Sequence, residues 1–249
     1  MLARMLKAML RGKLGRPSDN DENGDAHTSA WIGLTAREDP LTSTVFERFA
    51  YLEPGDAWTL LRAACAEPAL GDEIPIAAPV GAPIWWFWPR LSPGEAGSDA
   101  RHVEPDLLIV WGPLVLVVEA KHAGAQCAAQ WVRELRAVQG DARFAQKRAI
   151  LVAAGGTDAA RFARLTADVR KQLGVDRAGF LLLRWTALRE AATSLRPHLS
   201  PGAVAVVDDM IAALDAWGYR RRVGFDSLPE AARNLAIATT PAALKDWRI

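Results

Sequence analysis

Two apolar runs in the middle of the chain, residues 106–111 (DLLIVW) and 114–121 (LVLVVEAK), are separated by Gly112-Pro113 alone. A connection that short joins only antiparallel strands, because parallel strands need a crossover of about a dozen residues or more. The near-unbroken Leu, Ile and Val content predicts a hairpin buried on both faces. Yet its open end is charged: Asp106 begins the first run, and Glu119 and Lys121 end the second. The simplest register, closing on Gly112-Pro113, sets Asp106 opposite Glu119 with β-carbons about 5 Å apart. Proline fits poorly at the second position of common tight turns, which leaves room for a shift of about one residue. Glu119 and Lys121 are two apart on one strand and so project from the same sheet face.

The segments around the hairpin set its architecture. PIWWFWPR (83–90) is short, aromatic and bounded by prolines, and predicts a strand. Alternation turns Trp86 and Trp88 one way and Trp85 the other. After the hairpin, GAQCAAQWVRELRAVQGD reads as a helix, RAILVAAGG as a strand, DAARFARLTADVRKQLG as a helix and AGFLLLRW as a strand. In AAGGTD a phosphate-loop reading fails for want of the lysine and spacing; the segment is a strand-to-helix turn with Thr157 or Asp158 as cap. Earlier, LTSTVFERFAYL predicts a helix capped by Thr42, Ser43 or Thr44, and AWTLLRAACAE a second. A hairpin followed by helix, strand, helix and strand implies an α/β fold with a mixed central sheet flanked by helices. The expected organisation is a basic amphipathic arm and acidic linker over 1–30, an α/β core over 31–190 and a helical C-terminal extension over 191–249, loosening after Arg222.

Charge and composition remove several function classes. Lys and Arg number 30 against 29 Asp and Glu, so nucleic-acid binding has to come from a local patch. The candidates are the amino-terminal MLARMLKAMLRGKLGR, which would equally suit a membrane surface or a partner helix, and Arg220, Arg221 and Arg222 in YRRRVGF. Cys65 and Cys127 read as small buried residues in a reducing cytoplasm, not a disulfide or a metal pair. The four histidines are not spaced as zinc ligands with cysteine, and no apolar run reaches the roughly 18 residues of a membrane span.

Two carboxylates held face to face repel each other and stay ionised only with compensation. Oxygen donors without nearby His or Cys favour a hard divalent cation, Mg²⁺ or Mn²⁺. Such an ion acidifies a water and polarises a phosphoryl oxygen, while a nearby lysine can orient or deprotonate that water and offset charge on phosphorus. Asp106, Glu119 and Lys121 are therefore the parts of a metal-assisted phosphodiester hydrolase.

PD, followed after an apolar strand and a short turn by EAK at the end of the next, closely resembles the PD-(D/E)xK nuclease superfamily over roughly residues 42–155. The resemblance implies a restriction-endonuclease-like fold, with Asp106 and Glu119 binding the metal and Lys121 serving catalysis. It further implies an acid from an early helix, matched by Glu47 as a metal ligand, and a polar residue from the helix after the lysine. Gln130 matches that position, with Gln126 one turn earlier as its competitor. DNA rather than RNA is the implied substrate, in defence or DNA processing, and a homodimer the implied way of cutting both strands. The rival readings are a catalytically inactive nuclease-like scaffold that binds a partner protein through the helical tail, and a membrane-peripheral or complex-docking protein driven by the basic amino-terminal helix. His122 follows the lysine and should face the opposite side, as a structural or substrate-contacting residue.

Overall fold

The computed structural model describes residues 38–65, 77–93, 102–174 and 178–220. The amino-terminal arm and linker, and the arginines beyond Arg220, lie outside them. Helix α1 runs Glu38–Phe49 and α2 Pro54–Ala64; strand β1 is Ile84–Phe87, β2 Leu107–Trp111 and β3 Leu114–Ala120. Then follow α3 (Ala128–Gly140), β4 (Arg148–Ala154), α4 (Ala159–Leu173), β5 (Ala178–Leu183), α5 (Trp185–Leu195) and α6 (Pro201–Ala216). The elements up to α6 fall in one compact unit that ends at Tyr219. The expected core boundary at residue 190 falls inside α5.

The five strands lie in the order β1-β2-β3-β4-β5. The first three form an antiparallel meander, and β4 and β5 extend it in parallel with β3. The sheet is thus mixed, as the pattern of runs requires. In the hairpin Leu107 pairs with Val118 and Trp111 with Leu114, the unshifted register. Gly112 at φ 52° absorbs the turn's only demand for a positive dihedral, so Pro113 takes the second position without moving the strands.

The sheet divides two apolar layers. On one face Leu107, Ile109, Leu116, Val118, Ile150 and Val152 pack against α1, α2, α5 and α6. On the other Leu108, Val115, Val117, Leu151, Phe180 and Leu182 pack against α3 and α4. The connections from β3 to β4 and from β4 to β5 both cross on that second side, through α3 and α4, as two crossovers of the same hand in one direction require. Strand β3, at the centre, is buried along its whole length. The first layer is tied by Trp111, whose ring meets Trp58 edge-on at 5.1 Å and whose indole N–H donates to the Pro79 and Gly81 carbonyls. Helix α6 is held to α5 by the ion pair of Asp215 with Arg189 at 2.6 Å.

Three local expectations need correction, and one open choice is decided. Thr42, Ser43 and Thr44 are buried inside α1, which begins at Glu38, so they do not cap it; Thr42 bonds back to the Glu38 carbonyl at 3.1 Å. Trp88 does not share the face of Trp86. Its φ of 46° breaks the alternation, and its ring joins Phe87 in the first layer while Trp86 leans toward the second. Cys127 is exposed at the start of α3 and Cys65 partly buried, both as free thiols. Of the two proposed caps on α4 it is Asp158 that accepts from the Arg161 amide, at 2.7 Å. Among the described residues no helix is long and apolar enough to cross a membrane.

Candidate metal centre

The hairpin register decides where the charges go. Asp106 immediately precedes β2 and Glu119 lies one place beyond the last hairpin pair, so the two meet at the open end of the strands. Both have the parity of Leu108 and Val117 and therefore face the α3 side. Asp106 is 9% exposed and Glu119 1%. The Asp106 Oδ2 atom accepts from the Ala120 amide at 2.8 Å, which anchors the carboxylate to the neighbouring strand.

The third acid of the cluster is Glu38, the first described residue of α1. One carboxylate oxygen each from Glu38, Asp106 and Glu119 lies within 4.8 Å of the others. Glu47, the early-helix acid expected there, is elsewhere. It follows Glu38 by nine residues, two and a half turns at 3.6 residues per turn, so it points away from that side of the helix. Its buried carboxylate accepts from the Ser43 hydroxyl within α1. Glu38 falls outside the apolar run that marks the helix in sequence, and only the fold brings it to the hairpin.

Lys121 ties the acids together. Its ammonium donates to Glu38 Oε1 at 2.8 Å and, more closely, to Glu119 Oε1. Burial alone would lower its pKa, but the carboxylates of Glu119, Glu38 and Asp106 outweigh that and hold the ammonium above its ordinary value. The Asp106 carboxyl moves the other way: burial, and then the charge of Glu119, push it well above the usual carboxylate range. The backbone under Lys121 is pinned by its amide, donating to the Ala154 carbonyl at 2.7 Å, and by Trp185, whose indole donates to the Lys121 carbonyl at 2.9 Å.

The Gly155-Gly156 pair after β4 exists for this approach. A β-carbon at Gly155 would stand 2.3 Å from the Lys121 carbonyl oxygen, and one at Gly156 2.4 Å from the Lys121 β-carbon. Only glycine allows the two segments to lie that close, and both residues have positive φ.

The two glutamines divide their roles. Gln126 is buried; its amide N–H₂ donates to the Glu119 carbonyl at 3.0 Å and the Gly155 carbonyl at 3.2 Å, and its oxygen accepts from the Trp131 indole at 2.8 Å. It braces the backbone at Glu119. Gln130 donates to Glu134 Oε1 at 2.9 Å and reaches the acids through that residue. Glu134, one turn beyond Gln130, was not marked by the motif. It is 1% exposed, and burial followed by the charge of Glu119 pushes its carboxyl well above the usual range. The sequence offers only that positions four apart share a helix stripe, which puts Glu134 on the side of Gln130 without placing it against Glu119. His122 turns to Tyr219, with 2.6 Å between Nδ1 and the phenol oxygen, and its amide donates to Glu38 Oε2 at 3.3 Å.

The donors fit a hard cation. Glu38, Asp106 and Glu119 offer carboxylate oxygens only, the set expected for Mg²⁺ or Mn²⁺. Among the described residues no donor reaches the buried Glu119 Oε2, a position that leaves a carboxylate oxygen with unused capacity. Comparison of the chain with models of known protein families, with curated proteins and with solved structures finds no match.

Proposed function

We propose that this chain is a metal-dependent nuclease of the PD-(D/E)xK kind, hydrolysing DNA phosphodiester bonds on a restriction-endonuclease-like core. The observation that carries the reading is the convergence of Glu38, Asp106 and Glu119 to within 4.8 Å of one another, with the Lys121 ammonium on two of them. A hairpin that ends in PD and EAK, followed by a helix and a parallel strand, supports it.

Glu38, Asp106 and Glu119 would hold the ion, which when bound acidifies a water and polarises a phosphoryl oxygen. Lys121, held as an ammonium, orients that water and balances charge on phosphorus; with its pKa raised it is a donor at neutral pH and not the base. Hydrolysis joins the water oxygen to phosphorus, the water's proton passing to solvent, and breaks one P–O ester bond, the departing oxygen taking a proton from solvent. Gln126, Trp185 and Gly155-Gly156 keep the Glu119–Lys121 segment in place.

The test is cleavage of linear, nicked, supercoiled and single-stranded DNA by the purified protein with Mg²⁺, Mn²⁺ or EDTA. Lys121→Ala and Asp106→Ala run beside the wild type. Cutting that needs the ion and vanishes in both variants supports the reading. Cutting that survives both belongs to another site or another protein, and an inert wild type favours the scaffold.

A further inference from the structure

His122 stands beside the acid cluster, and the chemistry above has no use for it. Its amide donates to Glu38 Oε2 at 3.3 Å, which sets its backbone at the rim of the cluster. Its side chain turns to Tyr219, with 2.6 Å between Nδ1 and the phenol oxygen and the two rings edge-on at 5.6 Å. Tyr219 follows α6 and packs in turn on Trp185, the ring centres 6.1 Å apart. Trp185 is the residue whose indole holds the Lys121 carbonyl. A row of rings therefore fixes the imidazole against the same backbone that carries Glu119 and Lys121.

The bond to Tyr219 also sets the tautomer. Burial, and then the charge of Glu38, push the Tyr219 phenol up to about 12, so its hydroxyl keeps its proton at neutral pH. Donation of that proton to Nδ1 satisfies both atoms, whereas an Nδ1–H would leave the phenol proton without an acceptor among the described residues. An imidazole that accepts at Nδ1 carries its hydrogen on Nε2. Nε2 has no partner among the described residues and is not one of the buried atoms left without one, so it is open to solvent.

The surroundings say what such a donor is suited to. Carboxylates repel a phosphodiester, and the Lys121 ammonium is already divided between Glu38 and Glu119. A neutral N–H at the rim gives a phosphate oxygen a donor without competing with a metal ion for the acids.

We propose that His122 binds the nucleic-acid substrate, its Nε2–H donating to a non-bridging oxygen of a DNA backbone phosphate, with Tyr219 as the positioning residue that holds the ring. The inference rests on the nuclease reading above and adds to it a residue outside the PD and EAK segments.

The experiment uses two side-chain amides that each imitate one imidazole nitrogen. In His122→Asn the amide falls near Nδ1 and keeps a partner for Tyr219; in His122→Gln it reaches toward Nε2 and keeps the outward donor. Affinity of the full chain for a fluorescent DNA duplex is read by anisotropy with Ca²⁺, a hard ion that carboxylates hold. His122→Asn should bind about ten- to a hundredfold more weakly, the loss of one hydrogen bond to a charged group, while His122→Gln stays near wild type. Any other order of the two, equality included, overturns the proposal; a His122→Asn that alone keeps its affinity makes the ring a structural partner of Tyr219. Tyr219→Phe should cost about two- to tenfold, as the loss of a neutral hydrogen bond behind the contact. In nitrogen-15 NMR of the wild type, His122 should carry its proton on Nε2, and that resonance should shift when the duplex is added. A proton on Nδ1, or a resonance that the duplex leaves in place, overturns the proposal, and this measurement decides it should either variant not fold. A wild type that binds DNA through His122 but never cuts it overturns the nuclease reading and leaves the contact standing. A wild type with no affinity for DNA overturns both.

Discussion

The Asp106 carboxylate accepts a hydrogen bond from the Ala120 amide at 2.8 Å, across the open end of the central hairpin. One bond therefore links the residue before β2 to the residue between Glu119 and Lys121. The candidate metal centre is built into the hydrogen-bonding of the sheet and not carried on a loop, so the acids are held in place before any ligand arrives.

Exchange of the two α1 acids separates the carboxylate proposed to hold the ion from the one bonded inside the helix. Glu38→Gln should abolish ion-dependent cleavage and weaken Mn²⁺ binding by about tenfold or more while leaving the melting temperature near wild type. Glu47→Gln should do the reverse, costing about 1 kcal/mol through its buried bond with Ser43 and sparing Mn²⁺ affinity. Calorimetry and thermal melts on both variants read this out, and equal Mn²⁺ affinities in the two would place the ion elsewhere.

Gly156→Ala should disable the site from the far side of the sheet end. The new β-carbon meets the Lys121 β-carbon at 2.4 Å, and the backbone sits at φ 66°. The combined strain is about 2 kcal/mol or more, relieved by moving Lys121. A folded variant with cleavage reduced about a hundredfold is expected, in the range seen when one charge-stabilising group is lost. Full activity would mean that the Lys121 position does not matter.

Stability in EDTA should depend on pH in an unusual direction. Asp106 and Glu134 bind protons more tightly folded than unfolded, because burial and the charge of Glu119 raise both. Their contribution is fully present below about pH 4, where the unfolded groups titrate, and is lost as pH rises through the raised folded values. Melting temperature in EDTA should therefore fall across that window, and Mg²⁺ or Mn²⁺ should restore it at neutral pH. Asp106→Asn, which still accepts from the Ala120 amide, should fall less steeply. A metal effect that is the same size at pH 5 and pH 8 would contradict the linkage.

Gln126→Leu should be costly although the residue is buried away from the surface of the site. It strands the Trp131 indole and takes two carbonyls' donor away in a fully buried place. A loss of about 2–4 kcal/mol in denaturant unfolding is expected. Wild-type stability in this variant would show that the bracing is redundant.

The hairpin was legible because its information is local. An apolar run has one buried face arrangement, Gly112 meets the turn's dihedral demand, and a period of two then sends Asp106 and Glu119 to the same side. The helix acids were not legible in the same way. Choosing Glu38 over Glu47 needed the rotation of α1 about its axis and the end of the helix that reaches the sheet, neither of which its apolar pattern states. Glu134 was hidden behind the glutamine four places before it, since the stripe they share says nothing about which carboxyl comes to lie against Glu119. Trp88 was misplaced because alternation presumes extended backbone, and its φ is positive.

By itself, then, the chain's order of residues determined the strand pairing, the α/β layering and the meeting of Asp106, Glu119 and Lys121, all consequences of periodicity and a tight turn. Tertiary structure alone decided that Glu38 and Glu134 complete the cluster and that Gly155-Gly156 admits Lys121. The reason is distance along the chain: contacts between segments tens of residues apart depend on how helices rotate and cross over a sheet, and that is set by the packing of the whole core.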